Sequence, residues 1–124
     1  MNTNTNPIHN FVKFVMKELG ISTLPKKIII THNQTFPQTQ LTFGTYAPDE
    51  DEIIVYGGTR HIADVLRTLA HELVHHKQRQ DGNELDGNDG SDIENEANAV
   101  AGTLMRKFRK IYPDMYMGVN HASS

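Results

Sequence analysis

The chain has 124 residues, enough for one domain with a modest core. It contains no Cys and no Trp, which removes disulfide frameworks, thiolate metal sites and cysteine nucleophiles together; any metal must be held by His, Asp or Glu. Twelve Lys and Arg against fifteen Asp and Glu leave a net charge of -3, with no general attraction to nucleic acid or to anionic membranes.

The opening residues, MNTNTNPIHN, have neither the charged start nor the apolar run of a secretory signal. The longest aliphatic run, around residues 28 to 30, is far too short to span a bilayer. The expectation is a single cytoplasmic domain over residues 1–124, with flexible ends at about 1–6 and 117–124. The first element predicted is a helix from about 7 to 19, where Ile8, Phe11, Val12, Val15, Met16 and Leu19 recur at helical spacing between Pro7 and Gly20. KKIIIT reads as a buried strand. LTFGTY and EIIVYG read as two more, joined by the turn-forming APDED.

From about residue 60 the period changes to that of a helix, with Ile62, Leu66, Leu69 and Leu73 on one stripe and no breaker before Gln80. DGNELDGNDG, with three Asp-Gly pairs, is a loop. It does not have the alternation of an EF-hand, because Leu85 and Gly90 stand where ligands are needed. A last helix is predicted from Ser91 or Asp92 to about Tyr112, where Pro113 stops it. The fold class that follows is α+β, a small, about three-stranded and mostly antiparallel sheet packed against three helices.

The chemistry concentrates in AHELVHHKQ, residues 70–78. His71, Glu72 and His75 form H-E-x-x-H inside a helix, so the two imidazoles lie one turn apart on one face and can reach one ion. Glu72 is rotated by about 100° from His71, where it can serve an attacking water as base without ligating the metal. At this chain's His and Glu frequencies the pattern arises by chance on the order of a couple of per cent of the time. Ala70, Leu69, Leu73 and Val74 surround it, which marks a buried helix rather than a solvated face. His76 lies about 100° from His75, cannot share the ion, and is expected at the surface or behind the ligands.

A catalytic zinc takes three protein ligands and leaves one position open. The longer motif with a third histidine fails, because Gln78 and Asp81 stand where its glycine and histidine belong. Glu94 and Glu96 on the last helix are the remaining choices. Glu96 shares its flank with Thr103, Lys107 and Lys110, which reads as solvent. Glu94 shares its flank with uncharged Asn98, Ala101 and Met105, where a buried acid needs a partner. Glu94 is the expected ligand and Glu96 the alternative. Ser91-Asp92-Ile93-Glu94 also fits a capping box, in which Glu94 would only close the helix start.

HELVH followed by ENEAN on a second helix resembles the gluzincin zinc metallopeptidases, especially minimal ones of the ImmA/IrrE-like kind and short H-E-x-x-H proteins of bacteriophages. The resemblance covers about residues 50–108 and includes the step of nineteen residues from His75 to Glu94 and an Asn98 matching the family's supporting Asp or Asn. It implies a Zn2+-dependent endopeptidase acting on a peptide or protein, in the cytoplasm or, for a phage protein, in that of the host. His71, His75 and Glu94 would be its ligands and Glu72 its general base. It also implies an edge strand, here EIIVYGG, that aligns an extended substrate. The family's oxyanion-stabilising Tyr or His has candidates by position in Tyr112, Tyr116 and His121. Two rivals stand beside this reading. One is a regulatory or interaction protein of the same fold with a purely structural metal, against which Glu72 argues. The other is an SprT-like, DNA-associated protease; that type uses a third histidine, and the only basic cluster here is MRKFRK, residues 105–110.

Overall fold

The computed structural model describes residues 6–83 and 91–113. Residues 1–5 and 117–124, assigned to flexible ends, lie outside them, as does most of the Asp-Gly loop. Asn6, assigned to the same flexible start, instead caps the first helix, α1 (Pro7–Leu19): its side chain accepts from the amides of Ile8 and His9 at 2.9 and 3.2 Å. Gly20 ends that helix in the left-handed conformation, φ 68°, which a residue with a Cβ rarely adopts.

The chain continues through β1 (Lys27–Thr31), a short helix α2 (Thr35–Gln40), β2 (Gly44–Ala47) and β3 (Glu52–Tyr56). The hairpin of β2 and β3 is antiparallel, as its turn predicts, with Gly44 opposite Val55 and Tyr46 opposite Ile53. β1 joins the hairpin in parallel, giving the order β1-β3-β2 and a mixed three-stranded sheet. α2 and β2 return the chain to the end where β1 began, so β3 sets out in the same direction as β1. The centre of the sheet is therefore β3, not an edge. Ile53 and Val55 are fully buried and Tyr56 nearly so, as a central strand requires.

Two long helices complete the domain, α3 (Ile62–Gln80) and α4 (Asp92–Ile111). Leu66, Leu69 and Leu73 of α3 lock against Phe11 and Val15 of α1, Ile53 and Val55 of β3, and Ala97, Leu104 and Phe108 of α4. Phe11 and Phe108 meet edge to face, their centroids 4.9 Å apart. Small residues Ala97 and Ala101 are buried and let α4 lie close along α3. α3 is thus enclosed from three sides: by the core, by α4, and by β2. Among the described residues no helix is long and apolar enough to cross a membrane.

Candidate metal centre

α3 turns different residues toward each neighbour. Its α4 side presents His71, His75 and Gln78; its β2 side presents Thr68, Glu72 and His76, each four residues from the next. On the α4 side, Glu94 in the first turn of α4 extends its carboxylate between the two histidines. Glu94 Oε1 is 3.0 Å from His71 Nε2, Glu94 Oε2 is 2.9 Å from His75 Nε2, and the two Nε2 atoms are 3.1 Å apart. The three groups offer ligand atoms that all lie within 4.8 Å of one another.

Glu96 stays out of this cluster, and its carboxylate accepts from the Gln78 amide instead. The capping box is half made: Ser91 Oγ accepts from the Glu94 amide at 3.1 Å, while the Glu94 side chain is spent on the histidines. Of the flank that singled out Glu94, Ala101 and Met105 are buried, whereas Asn98 is exposed and Glu94 itself half-buried.

The donor set fits a zinc ion on chemical grounds. His75 Nδ1 lies 2.8 Å from Gln78 Oε1, which can only accept. The His75 proton therefore sits on Nδ1 and the Nε2 lone pair is bare. Asn98 hydrogen-bonds His71, one turn along α4 from Glu94. Bare imidazole nitrogen and carboxylate oxygen facing one another need a cation between them. A proton supplies that poorly at His71, whose pKa is lowered by burial and then by the neighbouring His75, against an opposing pull from Glu94. Tetrahedral zinc with bonds of about 2.0–2.1 Å holds ligand atoms roughly 3.3 Å apart, close to the spacing seen here. Two nitrogens and one carboxylate oxygen, without sulfur, are an open catalytic set rather than a closed structural one.

On the β2 side, Glu72 is buried at 7% exposure. Burial, then repulsion from the Glu94 carboxylate, pushes its pKa from 4.5 up to about 8. β2 makes room for it with a glycine. A Cβ at Gly44 would lie 2.5 Å from Thr68 Cγ2 and 3.3 Å from Glu72 Oε2. Thr68 cannot swing aside, because its hydroxyl accepts from Arg60 at 2.8 Å and donates to the Asp64 carbonyl at 3.0 Å.

His76, expected at the surface or behind the ligands, is instead buried at 5% exposure beneath β2. Its Nε2 donates to the Thr23 carbonyl at 2.6 Å and its Nδ1 accepts from the Tyr46 hydroxyl at 3.0 Å. Both nitrogens are used, so it ties α3 to β2 and to the segment before β1. Tyr112 is ruled out as an oxyanion donor. It caps the far end of the 20-residue α4, about 27 Å from Glu94 at 1.5 Å per residue, and packs on Phe108. Tyr116 and His121 lie outside the described residues.

Gln78 is the residue that sequence reasoning passed over, weighed only as a missing glycine. Its signal was present: a position three after His75, on the same face. Comparison of the chain with models of protein families, with curated proteins and with solved structures gives no match. The arrangement of His71, Glu72, His75 and Glu94 in a small α+β fold is nevertheless that of a gluzincin-type zinc peptidase site.

Proposed function

We propose that the protein is a zinc-dependent endopeptidase in which Glu72 is the general base and then the general acid. A bound Zn2+ would supply the Lewis acid, lowering the pKa of water toward neutrality and polarising the scissile carbonyl. The observation that carries the proposal is the pairing of a three-donor cluster with a buried carboxylate held close beside it. A structural metal has no use for such an acid. Burial raises the proton affinity of Glu72 toward working pH, the condition for taking a proton from the attacking water and giving it to the leaving amine. His71, His75 and Glu94 would hold the ion, and Gly44 leaves the room that the Glu72 side chain occupies.

The free edge beside Glu72 is β2 rather than EIIVYGG. Tyr56 N donates to Phe43 O at 2.7 Å, and the register from that pair turns the main-chain N–H and C=O of Gly44 and Tyr46 away from β3. An extended peptide can add there as a further strand and pass Glu72 at Gly44, displacing the Thr42 hydroxyl that meets the Gly44 carbonyl at 3.2 Å and its amide at 3.5 Å. The SprT-like reading loses its ground, since a carboxylate fills the third position in the cluster and Lys107 of the basic segment is paired with Glu18 at 3.0 Å.

The test compares wild type with Glu72→Gln for zinc content and for cleavage of a broad peptide library. The expected result is one zinc in each, with cleavage only by wild type. One zinc in each and cleavage by neither would remove the peptidase reading and leave a binding protein.

A further inference from the structure

We propose that Gln78 and Glu96 form a positioning relay that sets the His75 proton and fixes the first turn of α4, so that both ligand-bearing helices are arranged for the ion in advance. The proposal rests on the zinc reading above. Gln78 is only 3% exposed. Glutamine is seldom so buried, because its amide has two donors and an acceptor to satisfy. Here the partners are complete. Gln78 Nε2 donates to Glu96 Oε1 at 2.6 Å and to the Ile93 carbonyl at 3.1 Å, and Gln78 Oε1 faces His75 Nδ1 at 2.8 Å.

Chemistry removes the usual ambiguity of an amide's orientation. Carboxylate and carbonyl oxygens only accept, so the nitrogen of Gln78 must point to α4 and its oxygen to His75. That oxygen in turn only accepts, so the imidazole must carry its proton on Nδ1. An imidazole without such a partner can carry the proton on Nε2 instead, where it blocks ligation. Ile93 and Glu96 also bracket Glu94 in sequence. The bonds that orient Gln78 therefore hold the turn of α4 from which the third ligand extends. Glu96 is itself exposed, so its charge remains hydrated while its oxygen anchors the relay. Gln78 is a positioning residue, acting on the ion only through His75 and α4.

The bland alternative is a hydrogen bond that merely joins two helices, and the experiment separates the two. Zinc affinity is measured by competition with a chromophoric chelator, and the His75 tautomer in chelator-stripped protein by nitrogen-15 NMR. Folding is followed by circular dichroism and melting. In Gln78→Leu we expect affinity to fall about 10- to 100-fold while the fold persists, with the His75 proton no longer confined to Nδ1. The exchange Gln78→Glu with Glu96→Gln keeps an acceptor on His75 and reverses the bond to residue 96, while the Ile93 carbonyl loses its donor in the exchange and in Gln78→Glu alike. It should bind zinc more tightly than Gln78→Glu alone, which sets two carboxylates against each other, and the two differ only in the bond between residues 78 and 96. The exchange also serves if Gln78→Leu does not fold: an exchange no tighter than its Gln78→Glu parent overturns the relay. So does wild-type affinity and tautomer in folded Gln78→Leu. If wild type itself takes up no zinc, the zinc reading falls, and the relay falls with it only if the tautomer also ignores the substitution.

Discussion

His75 and His76 are adjacent and chemically identical, yet the two faces of α3 put them to opposite uses. His76 spends both ring nitrogens on Tyr46 and Thr23, and nothing is left to bind an ion. His75 spends only Nδ1, on Gln78, and turns a bare Nε2 into the cluster with His71 and Glu94. The rotation of about 100° between neighbours on a helix decides which element each meets. A histidine becomes a ligand when its surroundings satisfy one nitrogen and leave the other; it becomes a strut when they satisfy both.

The contrast breaks most sharply by truncating each in turn. His75→Ala should weaken zinc binding by more than the roughly 10- to 100-fold that outer partners control, and should also cost stability in the metal-free protein, because His75 is itself buried and Gln78 Oε1 loses its partner. His76→Ala should leave zinc affinity within a few-fold but lower unfolding stability by roughly 2–4 kcal/mol, since it opens a cavity and removes the bonds that tie α3 to Tyr46 and Thr23. Competition titration and denaturant unfolding on both variants read the two effects. Equal loss of zinc in both would mean that His76 can reach the ion.

Glu72 shares the β2 face with His76 but is a proton carrier rather than a strut, and its removal should act on catalysis and on pH dependence. Glu72→Gln should lower kcat about 10²–10⁴-fold at unchanged zinc content. In chelator-stripped protein the same change should alter stability in one pH window. The unfolded carboxyl ionises near 4.5, whereas the folded one keeps its proton up to about 8. Wild type therefore binds more protons folded than unfolded in that window and loses stability as pH rises through it, at up to about 1.4 kcal/mol per pH unit. Glu72→Gln should match wild type in slope below pH 4.5, gain on it between 4.5 and 8 by a few kcal/mol at most, and hold a constant lead above. Parallel urea curves at pH 4, 6 and 9 check the sign; a lead that shrinks with pH contradicts it.

Gly44→Ala sharpens the comparison from the sheet's side. The added Cβ meets Thr68 Cγ2 at 2.5 Å, and Thr68 is held by Arg60, so β2 must back away from α3. A cost of about 1–3 kcal/mol is expected, together with lower kcat as Glu72 shifts and with zinc affinity nearly unchanged, because the ligands face α4. Steady-state kinetics beside zinc titration separates the two faces. A zinc loss as large as the kcat loss would show that they are not independent.

Much of this was legible before the structure, and the reasons are local. α1, α3 and α4 have apolar stripes at helical period bounded by caps, and their limits fall within a residue or two of those expected. The two histidines and Glu72 are fixed by one helix, and Glu94 stood out because its flank carried no charge. What stayed hidden depends on contacts distant in sequence. α2, TFPQTQ, has no apolar period and a Pro inside it. β3 was expected at an edge, although its run of Ile53, Ile54, Val55 and Tyr56 already had the continuous apolar character of a strand covered on both faces. The parallel pairing of β1 is set by how the intervening chain returns. Gln78 and Glu96 were read as a missing motif residue and a solvated acid, since only the packing of α3 on α4 brings them together.

Tyr46→Phe gives the smallest effect and the narrowest test of the strut. It deletes the hydroxyl that donates to His76 Nδ1 and accepts from Arg79, leaving the ring against the imidazole at 5.6 Å between centroids. His76 keeps its bond to the Thr23 carbonyl, so one acceptor nitrogen is left unpaired in a buried place. The expected loss is about 0.5–1.5 kcal/mol, with zinc affinity and kcat unmoved. A double-mutant cycle with His76→Ala should show the two changes to be coupled, because each removes the same bond. Additive losses would mean that Tyr46 stabilises β2 through its ring and its bond to Arg79, and that His76 is held in place by the Thr23 carbonyl rather than by the strand that also shelters Glu72.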